Sequence, residues 1–269
     1  MLKKFIKYQS LGNDFILLDF YKKTQTQINK IILDSKWKNF VINSCDRHFG
    51  IGADGILIIS KKEILIFNSD GSQAEICLNG LRCATDFLYK NYKFPIQFNL
   101  IMGGKIIECE INKINSKIEI INKINVSSEI EEKTIEINQK KIKGHYLQIP
   151  NPHFIIQKKI TSKDLLNWGQ LIENYPEFKN KTNVEFIHKK DSSINSIDLL
   201  VHERGCGPTL ACSSGATAVL YFLFKTKQIK LNQKIKINMP GGTLVCWIDK
   251  NGKINLQAQA QLIFNGNLT

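Results

Sequence analysis

Two cysteines stand at matching places in the chain. Cys77 opens Cys77-Leu78-Asn79-Gly80, and Cys212 opens Cys212-Ser213-Ser214-Gly215. Each follows a strand-like apolar run and an acidic turn with glycine, Asp70-Gly71 before the first and Glu203-Arg204-Gly205 before the second. Each precedes a helix-forming stretch. A cysteine at a helix start faces backbone N–H groups that have no intrahelical partner, and the positive end of the helix dipole. Both favour a thiolate, so the pattern predicts thiol pKa values below about 8.5. The same N–H groups can bind a carboxylate. A lone cysteine at such a place reads as a small buried helix-start residue. A duplicated pair reads as chemistry. Inverting a stereocentre beside a carboxylate requires taking a proton from one face and returning one to the other. One thiolate and one thiol on opposite sides of a small ligand can do this, and their roles swap with direction. Charge on the enediolate-like transition state would be met by the helix ends.

The elements that must hold these cysteines can be read from periodicity and turns. Phe5–Tyr8, Asp14–Asp19, Ile56–Ile59 and Ile64–Phe67 read as strands, separated by turns such as Leu11-Gly12-Asn13 and Asn68-Ser69-Asp70-Gly71-Ser72. Helices are predicted from about Glu75 to Tyr92, from Lys163 to Asn174 and from about Cys212 to Lys225. Residues 105–150 alternate Ile with Lys, Glu and Asn, as exposed antiparallel strands do. The last 35 residues read as hairpins, with Pro240-Gly241-Gly242 as one turn. A weak internal repeat runs through this order. Gly12-Asn13-Asp14-Phe15 is echoed by Asn151-Pro152-His153-Phe154, 138 residues on, and Cys77 by Cys212, 135 residues on. Two matches at nearly equal offset predict a duplicated α/β domain.

Composition bounds the alternatives. The chain has 269 residues, 43% of them hydrophobic, enough for a sizeable core. It has no apolar run long enough to span a membrane as a helix, and Met1–Tyr8 lacks the apolar core of a secretion signal. A cytoplasmic protein without membrane partners is expected. The net charge of +13 comes from 37 basic residues, of which only Arg47, Arg82 and Arg204 are arginine. The lysines are scattered and not interleaved with aromatics, so nucleic-acid binding is not expected. Where lysine dominates, an arginine persists where a planar fork is needed. Seven cysteines, an odd number, argue against a secreted disulfide framework. Cys77/Cys83 and Cys206/Cys212 share a C-x5-C spacing that is wide for structural zinc, so a metal-binding module is disfavoured.

At these residues the chain resembles the diaminopimelate epimerases, a pyridoxal-phosphate-independent family of amino-acid epimerases and racemases. The resemblance runs through Leu11–Phe15, Asp46–Gly55, Asn68–Ser72, Cys77–Cys83, Asn151–His153, Asn183–Phe186, Glu203–Gly205 and Pro240–Gly242. It implies an α+β fold of two pseudo-symmetric mixed α/β domains. Each would be a curved, mostly antiparallel sheet around a central helix, with the active site in the cleft between them. The domains would be 1–115, joined by 258–269, and 116–257. The implied reaction turns LL-2,6-diaminopimelate into the meso isomer, supplying lysine and peptidoglycan precursors, without cofactor or metal and in a homodimer. A racemase of another amino acid on the same fold is the alternative. By resemblance, Cys77 and Cys212 are the acid–base pair. Asn13, Asn68, Asn151 and Asn183 bind substrate, and Glu203 and Arg204 hold its distal amino-acid end. Leu78, Asn79, Ser213 and Ser214 surround the reacting carboxylate with backbone N–H groups, and His153 and Glu203 tune the thiols. The residue types suit these tasks, since Arg binds a carboxylate with two bonds and Asn offers donor and acceptor without charge. Three departures from the family pattern stand out: Leu78 where glycine is usual, Ser213-Ser214 where glycine comes first, and Ala258-Gln259-Ala260 where Gly-Pro-Ala is usual.

Overall fold

A computed structural model describes residues 4–114, 117–189 and 194–268. The chain divides into two compact units, Met1–Asn122 with Ala258–Thr269, and Lys123–Gln257.

The first unit opens with the strands β1 (Lys4–Ser10) and β2 (Asn13–Asp19), followed by helices α1 (Gln25–Ile32) and α2 (Trp37–Cys45). Then come β3 (Gly55–Ile59), β4 (Ile64–Asn68), the short β5 (Gln73–Ala74) and helix α3 (Leu78–Tyr92). Strands β6 (Gln97–Met102), β7 (Lys105–Ile114) and β8 (Lys117–Ile124) complete its first pass. Leu11 and Gly12 both have positive φ, 55° and 81°. That is the two-residue turn whose twist matches a hairpin, and it sets Asn13 as the first residue of β2. β2 pairs parallel with β3, which pairs antiparallel with β4.

The second unit repeats this plan. It contains β9 (Glu131–Ile137), β10 (Lys140–Ile149), β11 (Asn151–Gln157), α4 (Ser162–Glu173), β12 (Asn183–Lys189), β13 (Ser196–Glu203), the short β14 (Gly207–Pro208) and helix α5 (Ser213–Lys225). Hairpin strands β15 (Ile235–Met239), β16 (Gly242–Ile248) and β17 (Ile254–Ala258) follow, and β18 (Gln261–Asn267) rejoins the first unit. β10 and β11 form an antiparallel hairpin, β11 runs parallel to β12, and β12 antiparallel to β13. Hairpin, crossover, parallel pair, antiparallel return, short strand and helix therefore occur in the same order in each unit. The sheet order is β18-β1-β2-β3-β4-β5 in the first unit and β17-β16-β15-β13-β12-β11-β10-β9 in the second.

The helices α3 and α5 are the centres of their units. Every residue of α3 from Leu78 to Leu88 is buried, and so is α5 from Gly215 to Leu223. A helix buried on all faces must be wrapped by other elements. α3 packs on β1, β2, β3 and β4, and α5 on β10, β11, β12 and β16. This is a two-domain α+β fold, as the sequence suggests. Among the described residues no helix is long and apolar enough to cross a membrane.

Several local expectations are corrected. α3 starts at Leu78, not near Glu75, because Gln73–Ala74 pairs with β4 and Cys77 is extended. α1 and α2, between β2 and β3, were not anticipated. The strands of 105–150 are antiparallel where described, but they are not merely exposed: Ile107, Cys109, Ile111, Ile120, Ile135, Ile137, Leu147 and Ile149 are buried. Residues 115 and 116 of that run lie outside the described ones.

Candidate active site

Both cysteines cap their helices. Cys77 is the N-cap of α3, with φ −139° and ψ 104°, and its Sγ accepts the Gly80 N–H at 3.4 Å. Cys212 is the N-cap of α5, with φ −122° and ψ 106°, and its Sγ accepts the Gly215 N–H, also at 3.4 Å. Oxygen side chains usually make this contact. Here a thiol makes it twice, in the same backbone conformation. The first intrahelical bonds run from Leu81 N to Cys77 O and from Ala216 N to Cys212 O. The N–H groups of Leu78, Asn79, Ser213 and Ser214 therefore stand ahead of the helical ladder, where anions bind.

In the first unit the structure brings Asn13, Cys77 and Asn79 together. The Cys77 thiol donates to Asn13 Oδ1 at 3.7 Å, and Asn79 Nδ2 donates to the same oxygen at 3.2 Å. Asn13 Nδ2 donates to Asp54 Oδ2 at 2.7 Å. Arg82, fully buried, donates to Asn79 Oδ1 and to Ser10 Oγ. Arg47 reaches Asp14 with both NH groups, at 3.2 and 2.7 Å, and Asp54 at 2.8 Å. Lys7 adds an ion pair to Asp14 at 2.6 Å. Burial opposes ionisation of Asp14, but the bonds from Arg47 and Lys7 outweigh it and hold the carboxyl below its ordinary pKa. Asn68 behaves differently. It ends β4, and its Nδ2 donates to Ser72 Oγ at 3.0 Å within a turn.

In the second unit the Cys212 sulfur lies 3.3 Å from Ser214 Oγ. The expectation of a lowered pKa is corrected here. Burial, and then the charge of Glu203, push the Cys212 thiol well above its ordinary value, against the bonds from Ser214 and the Gly215 N–H. Glu203 is itself pushed up by burial, although it accepts from Thr209 Oγ1 at 2.6 Å. His153 is buried, with Nδ1 2.6 Å from Glu185 Oε1 and Nε2 3.1 Å from the Ile149 carbonyl. Glu185 therefore stands between His153 and the helix start. A Cβ added to Gly215 would meet Glu185 Oε1 at 3.0 Å and the Cys212 sulfur at 3.5 Å, so glycine is needed for that approach. Arg204, Asn183 and Asn151 form a second cluster. The Arg204 backbone N–H donates to Asn183 Oδ1 at 2.9 Å, and its guanidinium to Asn180 O at 3.1 Å and Asn151 Oδ1 at 3.4 Å. Asn183 Nδ2 donates to Pro152 O at 2.9 Å.

Sequence reasoning missed Asp54, Arg82 and Glu185 as site residues. Glu185 had a signal, because it lies two positions beyond Asn183 on β12 and so shares its face. Arg82 had the signal of being one of three arginines in a lysine-rich chain, and Asp54 only its place in the matched motifs. Among the described residues no group of three or more His, Cys, Asp or Glu could hold a metal ion.

The two-unit fold recurs in solved structures of low sequence identity. A hydroxyproline epimerase from Agrobacterium vitis superposes with a TM-score of 0.73, covering 99% of this chain and 92% of that one, at 10% identity. A probable proline racemase from Agrobacterium radiobacter gives 0.72, with 99% and 93% covered, at 11% identity. At such identities it is the fold that is shared. The sequence profile described as diaminopimelate epimerase matches residues 5–127 and 146–262. A diaminopimelate epimerase of Prochlorococcus marinus is 34% identical over 100% of this chain and 99% of its own length. One from Methanothermobacter thermautotrophicus is 30% identical, with 98% of each chain covered. The chain belongs to the diaminopimelate epimerase family.

Proposed function

We propose that the protein is an isomerase that interconverts LL- and meso-diaminopimelate, with Cys77 and Cys212 as its acid–base pair. The observation that carries this is the paired cap: two cysteines of one chain start buried central helices with the same backbone and the same 3.4 Å N–H···S bond. One sulfur, as thiolate, takes the α-proton and becomes a thiol. The other, as thiol, gives its proton to the opposite face of the carbon and becomes a thiolate. The protons balance, and the reverse reaction exchanges the roles. The N–H groups of Leu78, Asn79, Ser213 and Ser214 meet the carboxylate as charge moves onto it. Arg204, with Asn151, Asn183 and Glu203, supplies the donors and acceptors that a distal zwitterionic end needs, and Asn13 and Asn68 add neutral polar contacts. His153 acts on the Cys212 side through Glu185. In the ligand-free protein Cys212 is held as a thiol, the form that returns a proton.

No cofactor enters this chemistry, because the helix ends take the place of an electron sink. The test is incubation with LL-diaminopimelate in deuterated water after dialysis against a chelator and hydroxylamine. The meso product should carry deuterium at one α-carbon. Product without deuterium, or activity restored only by pyridoxal phosphate or a metal, would sink the proposal. A homodimer in the cytoplasm belongs to the same reading. Its support is β18, an edge strand without charged residues that exposes Leu262, Ile263 and Phe264.

A further inference from the structure

The amide of Asn13 is held between two fixed charges, and their signs decide which way it faces. A carboxylate only accepts hydrogen bonds and a guanidinium only donates them. Asp54 Oδ2 lies 2.7 Å from the Asn13 amide, so the atom it meets is Nδ2, and the Asn13 oxygen is turned to Cys77. Arg82 donates to Asn79, so the atom it meets is Oδ1, and Asn79 Nδ2 is turned to Asn13 Oδ1. Both ends of the chain of bonds impose the same polarity. Reversing the Asn13 amide would set its NH2 against that of Asn79 and its oxygen against Asp54.

We propose that Asp54 and Arg82 are positioning residues which lock the Asn13 oxygen onto Cys77 and so hold that sulfur as a thiol in the ligand-free protein. An acceptor facing the sulfur favours S–H over S⁻, whereas the Gly80 N–H pulls the other way. Asp54 cannot turn freely, because Arg47 holds its Oδ1 at 2.8 Å and the Asp14 N–H its Oδ2 at 3.1 Å. Around Cys77, β6 contributes the uncharged Met102 sulfur, which takes the Cys77 N–H, and α3 contributes the thiol of Cys83. The charges of Asp54, Arg82 and, behind them, Arg47 and Asp14 reach the sulfur through the two amides. The inference rests on the proposed acid–base role of Cys77 and adds a gate to it. The Cys77 thiolate forms when the ammonium group of a bound amino acid donates to Asn13 Oδ1 in place of the thiol, the thiol proton passing to solvent and the Gly80 N–H remaining on the sulfur.

The test measures iodoacetamide alkylation of Cys77 in the ligand-free full chain between pH 6 and 10, by peptide mass spectrometry, with the exposed Cys206 as internal reference. Asp54→Asn removes the acceptor-only end of the chain of bonds, so the Asn13 amide is fixed from the Arg82 side alone and its oxygen is held less firmly on Cys77. Cys77 should alkylate about 3- to 10-fold faster at pH 7, with a lower pH midpoint, while Cys206 is unchanged. Arg82→Gln, which can face Asn79 either way, should act in the same direction, and Arg82→Lys, a donor only, should stay near wild type. Arg82 is fully buried, so Asp54→Asn, at a half-exposed site, carries the decision. A folded Asp54→Asn protein with unchanged or slower Cys77 alkylation overturns the inference. Wild-type protein that fails the deuterium experiment overturns the proposed reaction instead, and the alkylation result stands apart from it.

Discussion

At the scale of single residues, the proposed site divides into groups that would meet substrate and groups that aim them. On that proposal Arg204 belongs to the first kind. Its guanidinium already spans two acceptors, Asn180 O and Asn151 Oδ1, and its own N–H is tied to Asn183. A lysine there keeps the charge but has no planar fork to divide between a carboxylate and these neighbours. Arg204→Lys should therefore lose on the order of 2–4 kcal/mol of binding, with KM raised roughly 30-fold or more and the circular dichroism spectrum unchanged. Wild-type KM in the variant would remove Arg204 from the substrate site. Residue types and spacing made the two cysteines legible in the sequence, and the family resemblance singled out Arg204 with Asn151 and Asn183. They could not show that Cys212 rests above its ordinary pKa, because a helix end and a buried carboxylate act against each other and only burial decides which wins.

At the scale of elements, each sulfur has two tasks that can be separated. As N-cap it satisfies a backbone N–H of its helix, and in the proposed reaction it moves a proton as acid or base. Serine is a better cap than cysteine but a hydroxyl is far too weak an acid to exchange protons as a thiol does. Cys77→Ser and Cys212→Ser should therefore keep wild-type thermal stability while epimerisation falls by at least about 1,000-fold. Cys77→Ala should lose activity equally and also about 1 kcal/mol of stability with the cap. Serine variants that remain active would show that neither sulfur carries the proton. The three expected helices were readable because buried residues and caps leave a pattern, and their ends fall within one residue of the expected places except for the start of α3. The expected start near Glu75 fails because Gln73–Ala74 is claimed by β4, a long-range pairing that no local pattern records. α1 and α2 were missed for a related reason. α1 is short and mostly polar, burying only Ile28, and α2 has no side-chain cap at its start.

At the scale of the whole chain, the weak repeat in the sequence corresponds to the same run of elements in each unit, from the first hairpin to the central helix. The short matches at Asn13/Asn151 and Cys77/Cys212 fall on residues of the proposed site, while a strand keeps its place with any residue that keeps the alternation. Both units also bury thiols. Burial pushes Cys45 and Cys109 up to about 11, and Cys83 and Cys212 well above their ordinary value. These groups are expected to lower stability at alkaline pH. Below about pH 9 a thiol is protonated in both the folded and the unfolded chain, and its contribution is fully present. Between about 9 and 11 the unfolded chain releases the proton that the folded chain still holds, so unfolding is favoured as pH rises. Urea midpoints should be level from pH 7 to about 9 and then fall steadily towards 11. Cys109→Ala has a lower midpoint throughout, because a buried side chain is cut back, but its fall above pH 9 should be shallower by the share of one proton. A wild-type midpoint that stays level to pH 11, or an alanine variant with the same slope as wild type, would show that the buried thiols do not lower stability at alkaline pH.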